Sequence, residues 1–346
     1  MNGLKDLLSL DTSELESFVV SLGESKFRAK QLKSWLISGC GFDEMTNLSL
    51  SLRSKLKEVA VANPVRVKEK IVSSLDGTQK YLFELLDGNI IEGVRMKYHY
   101  GDTQCVSTQV GCKMGCKFCA STLDGCVRSL TAGEILGQII AADIAEDNQN
   151  HMRIHNIVLM GSGEPFDNYG EVTKFLRLVN DKDGLGVSLR NISLSTCGLV
   201  PQIYKFADEN LPVTLSISLH APNDEIRKQL MPIANRYSIA EILAACKYYI
   251  AKTGRRIVFE YALVDGINNS NKEADELAAI LRGMQCHVNL IPLNDVKERN
   301  LIGPTQKNVR DFKERLEGKK ISVTVRREMG DDIQGACGQL RRSRMQ

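Results

Sequence analysis

Val213-Thr214-Leu215-Ser216-Ile217-Ser218-Leu219 alternates aliphatic and hydroxyl side chains without a break. Successive side chains of a strand point to opposite faces, so one face here is aliphatic and the other carries small hydroxyls. Ile192 and Leu194 against Ser193 and Ser195 repeat the pattern, as do Ile321, Val323 and Val325 against Ser322 and Thr324. A strand covered by helices on both faces reads as almost continuously apolar. Three strands with a polar face therefore point to a barrel, full or partial, whose lumen holds a polar ligand. The alternative is an edge strand facing water.

The flanking sequence agrees with a barrel. Strand-like runs at 103–109, 154–160, 190–196, 213–219, 257–264, 287–291 and 320–325 take turns with helix-like runs at 131–147, 170–180, 200–208, 238–253, 271–282 and 305–316. Such alternation implies parallel strands joined by right-handed crossovers. Thr131 and Glu134 read as a capping box ahead of Ile135, Leu136, Ile139 and Ile140. Upstream, over 65–98, the period falls to two, and Asp76-Gly77 and Asp87-Gly88 favour tight hairpin turns. That predicts a short antiparallel β meander as a linker. The first 64 residues read as helices, with Leu15, Phe18, Val19 and Leu22 on one buried face and a capping box at Ser13 and Glu16. A second helix carries Phe27, Leu32, Trp35 and Leu36, and its outer face holds Lys26, Arg28, Lys30 and Lys33. The expected division is a small N-terminal helical accessory domain (1–64), the linker (65–98), an α/β core barrel (99–330) and a C-terminal loop with a basic tail (331–346).

Composition bounds the partners. The chain of 346 residues is 43% hydrophobic and 25% charged, which excludes a disordered or fibrous protein. With 45 basic and 42 acidic residues, no global basic field announces nucleic acid. There is no apolar run of about 18 residues for a spanning helix, and the start lacks an export layout. A cytoplasmic, monomeric protein is expected. In that reducing setting ten cysteines argue against a disulfide framework.

Four of those cysteines fall between Cys112 and Cys126. Gly111-Cys112-Lys-Met-Gly-Cys116-Lys-Phe-Cys119 is a C-x3-C-x2-C run that follows strand 103–109, at the C-terminal rim where barrels of this kind carry their active sites. Three thiolates on one loop can hold three corners of an iron–sulfur cube, which ordinarily takes four cysteines. The fourth iron is then open to another ligand. Structural zinc is the alternative, with Cys126 or Cys105 as a fourth ligand, but no distant C-x2-C partner is present. Cys40, Cys126, Cys197, Cys246 and Cys286 read as small buried hydrophobes.

At this point the chain resembles a known family. The C-x3-C-x2-C run after the first strand of a βα barrel is similar to the signature of the radical S-adenosylmethionine superfamily. The wider string Cys105-Val-Ser-Thr-Gln-Val-Gly-Cys112-Lys-Met-Gly-Cys116-Lys-Phe-Cys119-Ala-Ser-Thr122 resembles the RlmN/Cfr family of RNA adenosine methyltransferases. Met160-Gly-Ser-Gly-Glu164-Pro165, Ser193-Leu-Ser-Thr196, Ser218-Leu-His220, Leu230-Met-Pro-Ile233, His287-Val-Asn-Leu-Ile-Pro292 and Gly330-Asp-Asp-Ile-Gln-Gly-Ala-Cys337 match as well. Pro165 favours the RlmN-type C2 branch, because the Cfr-type C8 pattern has Ala there; Ser162 and Phe166 depart from the more frequent Met and Leu.

The resemblance implies a partial (βα)6 TIM-like barrel. It implies that Cys112, Cys116 and Cys119 hold a [4Fe-4S] cluster, and that S-adenosylmethionine, two molecules per turnover, meets Gly163, Glu164, Ser195, Ser218, Leu219, His220 and Asn294. It implies further that Cys337 is methylated and its methyl, made a radical, adds to C2 of an RNA adenine. Cys105 then breaks the protein–RNA link, leaving a Cys105–Cys337 disulfide to be reduced, and Glu92 is the implied proton acceptor. The implied substrates are adenosine 2503 of 23S rRNA and adenosine 37 of certain tRNAs, with a flavodoxin or ferredoxin as electron donor. The helical N-terminus and Arg326, Arg327, Arg341, Arg342 and Arg344 are the expected phosphate contacts. A zinc-stabilised RNA-binding module without catalysis is the competing class.

Overall fold

The computed structural model describes residues 3–146, 154–294, 298–327 and 329–340. The chain opens with β1 (Lys5–Asp6) and the helices α1 (Thr12–Ser21), α2 (Phe27–Ile37) and α3 (Leu50–Val59), and β2 (Ala60–Val61) returns to pair with β1. The antiparallel strands β3 (Val65–Val72), β4 (Gln79–Leu85) and β5 (Ile90–Tyr98) follow. Next come β6 (Gly101–Cys105), a small hairpin of β7 (Gln109–Gly111) and β8 (Cys126–Ser129), and α4 (Ala132–Ile144). The rest alternates: β9 (Ile154–Leu159), α5 (Tyr169–Asn180), β10 (Ile192–Thr196), α6 (Val200–Asp208), β11 (Thr214–Ser218), α7 (Asp224–Leu230), α8 (Ile239–Thr253), β12 (Ile257–Leu263), α9 (Asn271–Leu281), β13 (Cys286–Pro292), α10 (Gln306–Gly318) and β14 (Val323–Val325).

One ten-stranded sheet runs β14-β13-β12-β11-β10-β9-β6-β5-β4-β3. From β6 to β14 the strands are parallel. This gives six βα units closed off by a seventh strand, an open partial barrel. The meander is hydrogen-bonded into that same sheet, through Val94↔Cys105 and Met96↔Thr103. The sheet, its helices and the N-terminal helices share one continuous core that includes Leu15, Leu32, Leu56, Ile135, Leu194 and Phe259.

Three expectations change. The first helix is capped by Asp11, whose carboxylate accepts from Glu14 N while Glu14 Oε2 accepts from Asp11 N, both at 2.8 Å. Ser13 therefore lies inside the first turn, because the aspartate two residues earlier already satisfies the free donors. Lys33 is buried, not on an outer face: its ammonium bonds Asp181 beyond the end of α5 and Thr12 Oγ1. Ser322, just before β14, and Thr324 on it are exposed and bond the His287 ring at 2.8 and 2.9 Å. The hydroxyl face of this last strand is thus an open edge, whereas the hydroxyls of β10 and β11 look into the barrel.

Burial alone would raise the Asp181 carboxyl, yet the Lys33 ammonium holds it below the usual carboxylate range. Lys33→Met is expected to cost about 1–3 kcal/mol of unfolding free energy by leaving Asp181 and Thr12 without their donor. A lowered urea midpoint checks this. Among the described residues no helix is long and apolar enough to cross a membrane.

Candidate active site

The strand expected over 103–109 splits. Val106 N still bonds Val158 O in the sheet, but Thr108 N and Gln109 N both turn to Ser162 O, and the chain leaves as β7. Gly111 makes the exit possible. Its φ is +79°, and a Cβ there would run into the Gly125 carbonyl across the hairpin. Cys112 N closes the hairpin on Gly125 O at 2.9 Å. The β7/β8 hairpin so holds a loop bearing Cys112, Cys116 and Cys119. Thr122 Oγ1 donates to the carbonyls of Cys116 and Cys119 at 3.1 and 2.9 Å, and Lys117 N bonds Leu230 O at the end of α7.

All three thiols line a cavity of about 920 Å³ at the C-terminal ends of the strands. Gly163, Glu164, Ser195, Ser218, His220 and Asn294 line it too, and so does Cys337. Gly163, at φ +111°, passes so close to Thr108 and Gln109 that a Cβ would meet them at 2.7 Å. Glu164 is buried, and its carboxylate accepts from Cys197 N at 2.8 Å and Phe166 N at 3.0 Å. Burial nevertheless raises its pKa, so the site favours a cationic ligand for it. Ser195 and Ser218 Oγ stand 3.4 Å apart on neighbouring strands. His220 adopts left-handed backbone (φ +55°) and accepts the Ala262 N–H on Nδ1 at 2.8 Å. Burial, with Arg227 nearby, pushes it down to about 3, leaving a neutral imidazole with its proton on Nε2. Leu219 is fully buried in the core and does not line the cavity; its carbonyl accepts from Arg227 Nε at 3.1 Å.

The C-terminal segment straps across the barrel mouth. Gly330 N bonds Asp76, Lys80 Nζ bonds Gln334 O, Asn294 Nδ2 bonds Cys337 O at 3.0 Å, and Ala120 N bonds Gly338 O at 2.7 Å. Cys337 therefore hangs between the thiol loop and the meander. It also lines a second cavity of about 500 Å³, with Cys105 in the wall. Cys105 belongs to an apolar group with Val94, Met96, Met329 and Leu340. Burial, with Cys337 nearby, pushes its thiol up to about 12. Glu92 is on the same face of β5 as Val94 and Met96 but lines neither cavity. It is buried rather than solvated and faces Lys80 Nζ at 3.1 Å.

Sequence reasoning missed Glu260, Arg227 and the position of Arg326. Glu260 is buried in the cavity wall, bonded by Asn289 Nδ2 at 3.1 Å. A lone charge within Ile257-Val-Phe-Glu-Tyr-Ala-Leu263 was the available signal. Arg326, expected as a phosphate contact, instead lines both cavities, where Cys337 first, then Glu260, Cys105 and Tyr98, keep it protonated. Arg341, Arg342 and Arg344 lie outside the described residues.

Two observations test a cluster on the three thiols. A tetrahedral zinc needs its donors around one point, with Zn–S near 2.3 Å, and among the described residues no three His, Cys, Asp or Glu side chains are so placed. A cube binds each cysteine through a different iron, so its thiols surround a space instead. Arg227, fully buried, donates to the carbonyls of Cys197 and Leu219, yet its Nη1 has no partner among the described residues. A buried cation with a spare N–H that acts on Cys116 and Cys197 suits an anionic thiolate-bound group. Burial, then the neighbouring thiols, raises the Cys116 pKa, and burial pushes Cys112 up to about 12. The thiols need a metal's charge to ionise. The donor set fits a [4Fe-4S] cluster, and Glu164 and the two serines line the same cavity.

Residues 106–278 match the family model described as the radical SAM superfamily, and residues 5–62 match the ribosomal RNA large subunit methyltransferase N-terminal domain. The chain is 55% identical over 342 residues, 99% of its length and 98% of the relative's, to a probable dual-specificity RNA methyltransferase RlmN of Alkaliphilus oremlandii. It is 54% identical over 344 residues to the protein of the same name from Clostridium novyi, covering 98% of each. A crystal structure of a radical SAM methyltransferase from Sphaerobacter thermophilus superposes with a TM-score of 0.93 at 42% identity, over 97% of this chain and 99% of that one. Superfamily members work with a [4Fe-4S] cluster and S-adenosylmethionine, for which the thiol loop and its cavity are shaped. The chain belongs to the RlmN family of radical SAM enzymes.

Proposed function

We propose that this enzyme methylates C2 of adenine in RNA, acting on adenosine 2503 of 23S rRNA and adenosine 37 of certain tRNAs through a methylated Cys337. The observation that supports this reading is that Cys337 lines two cavities at once: the one with the three thiols, and the one with Cys105. A side chain in that position can take a group from one chamber and deliver it in the other.

When bound, the cluster and S-adenosylmethionine supply a methyl group and a carbon radical that removes hydrogen. Everything else falls to this chain. Cys112, Cys116 and Cys119 anchor the cluster. Glu164 accepts the ammonium of S-adenosylmethionine, the backbone at Gly163 approaches it closely, and Ser195, Ser218, His220 and Asn294 shape its pocket. Cys337 Sγ carries the methyl and, after losing one hydrogen atom from it, bonds through that carbon to adenine C2. C2 is an electron-poor sp² carbon with nothing to push toward an electrophile, which is why a radical on this chain serves. Holding it on Cys337 makes the attack intramolecular, a gain that reaches ~7–11 kcal/mol in well-oriented cases. Glu92, with Lys80, would take the proton lost from C2, and the oxidised cluster, when bound, would supply the acceptor for the one unpaired electron that addition leaves on the ring. Cys105 attacks Cys337 sulfur, the carbon leaves with the C–S electron pair and takes up a proton to become the methyl group, and the resulting disulfide is reduced before the next turnover. A flavodoxin or ferredoxin supplies electrons in this scheme, and the helical unit (1–64), the meander (65–98), the core (99–330) and the C-terminal loop (331–346) divide the work.

Of the four cations expected to grip RNA on α2, Lys26 faces Glu16, Arg28 faces Glu24 and Lys33 is buried on Asp181. Lys30 is left, so the affinity of that helix for phosphate is weaker than its sequence suggests. Nucleoside mass spectrometry of RNA from a strain lacking the gene tests the function. Loss of 2-methyladenosine is expected. Its retention overturns the C2 assignment, and loss of 8-methyladenosine instead would make this a C8 enzyme.

A further inference from the structure

At the tip of the β5–β6 hairpin, Tyr98 pairs with Gly101 and only His99 and Tyr100 form the turn. The rings of Tyr98 and Tyr100 are stacked, with centroids 4.9 Å apart and planes 7° from parallel, and His99 meets Tyr100 edge-on at 5.0 Å. This ladder has a half-buried foot and an open head. Tyr98 packs on the apolar group of Val94, Met96, Cys105, Met329 and Leu340, with its hydroxyl on Met96 Sδ at 3.6 Å. Tyr100 is 59% exposed. Tyr100 thus presents a flat aromatic ring to solvent at the hairpin tip, backed by a second ring.

The electrical setting is positive. Arg326 acts on both rings, and Arg327 acts on Tyr98. Lys97 and Arg327 are exposed and have no ion-pair partner among the described residues. Tyr98 also feels Cys337. The ladder's foot therefore packs on Cys105, Met329 and Leu340, which line the chamber shared with Cys337, and the exposed Lys97 and Arg327 are the cations of this neighbourhood.

We infer that Tyr100, backed by Tyr98, is a stacking platform for an unpaired RNA base next to the target adenine. The inference rests on the RNA-methylating reading and adds a binding site to it. An adenine that enters the chamber leaves its own stack, and its neighbour loses a stacking partner at the same moment. An exposed aromatic face at the rim replaces that partner, and the cations take the adjoining phosphates. Aromatic faces paired with basic groups are how proteins hold single-stranded RNA without reading its sequence.

The test uses the cluster-loaded full chain under anaerobic conditions and a fluorescein-labelled RNA stem-loop spanning the methylated adenosine. Tyr100→Ala is expected to raise the RNA Kd by roughly tenfold, the loss of one base–aromatic stack. S-adenosylmethionine binding stays at the wild-type value, and the salt dependence of RNA binding keeps its slope, because no charge is removed. Tyr100→Trp restores Kd to within about twofold, since indole offers a larger face. Because Tyr100 is exposed, neither change threatens the fold. A Tyr100→Ala enzyme that binds and methylates the RNA as wild type does would overturn the platform and leave the methylation reading standing. A wild-type enzyme that leaves the RNA unmodified would sink both.

Discussion

Cys337→Ala removes RNA methylation altogether, a fall of roughly a thousandfold or more if even part of the intramolecular advantage is lost, while iron content and S-adenosylmethionine binding are unchanged. The reason for so clean a separation is how the C-terminal strap is held. Its anchors are main-chain groups: Cys337 O on Asn294, Gly338 O on Ala120 N and Leu340 O on Ser121 Oγ at 2.5 Å. None needs the thiol. Cys337 is also half-buried at the cavity wall rather than packed in the main core, so truncation leaves little void to collapse. Cys126→Ala is the companion variant. That residue pairs through its backbone across the hairpin with Gly111 and lines neither cavity, and the variant should keep activity near wild type. The measurement is transfer of a labelled methyl group from S-adenosylmethionine to RNA, beside visible absorbance for the cluster. Methylation persisting in Cys337→Ala would remove that residue from the chemistry and leave the two-chamber arrangement without a purpose.

Much of this architecture is written in the residue order, for local reasons. Strict alternation in 213–219 locates β11, and Ser218 does look into the cavity beside Ser195. Thr131 and Glu134 start α4 with the capping box their types and spacing specify. What the sequence hides is decided at long range. The same alternation around Ser322 and Thr324 marks an edge, because no strand follows β14 in the sheet. Lys33 has the spacing of a solvated helix residue, and only its encounter with Asp181, 148 positions away, buries it. Arg326 looks like one member of a basic tail until the strap folds Cys337 against it. The helix α7 passed unnoticed because its seven residues carry a single buried charge, Arg227, where an apolar stripe would be sought. In each case a charge finds its partner through tertiary packing, and no periodicity encodes that.

The other large effect is expected in Cys105→Ala, and it is a gain: a covalent protein–RNA species that survives denaturation. The starting point is the wall of the second chamber. Cys105 sits in an apolar group across from Cys337, with burial holding its thiol far from ionised, up to about 12. In the resting enzyme it is a poor nucleophile, and this protects the chamber from premature disulfide formation. The group able to change that is Arg326, which lines the same cavity and favours the Cys105 thiolate. In the proposed mechanism the base becomes joined to Cys337 through carbon, and attack on that sulfur is what releases it. Alanine at 105 cannot attack, and serine is too poor a partner for sulfur, so Cys105→Ala and Cys105→Ser should both stop at the joined species. Methylated free RNA should fall by roughly a hundredfold or more, as expected when an activated nucleophile is removed. Labelled RNA should instead migrate with the protein on a denaturing gel and return to low mass after ribonuclease treatment. Adding Cys337→Ala to either variant should abolish the shifted band, because the linkage has nowhere to form. A Cys105→Ala enzyme that releases methylated RNA at the wild-type rate, with no shifted band, would assign the release step to another group and leave Cys105 a buried thiol of the apolar wall.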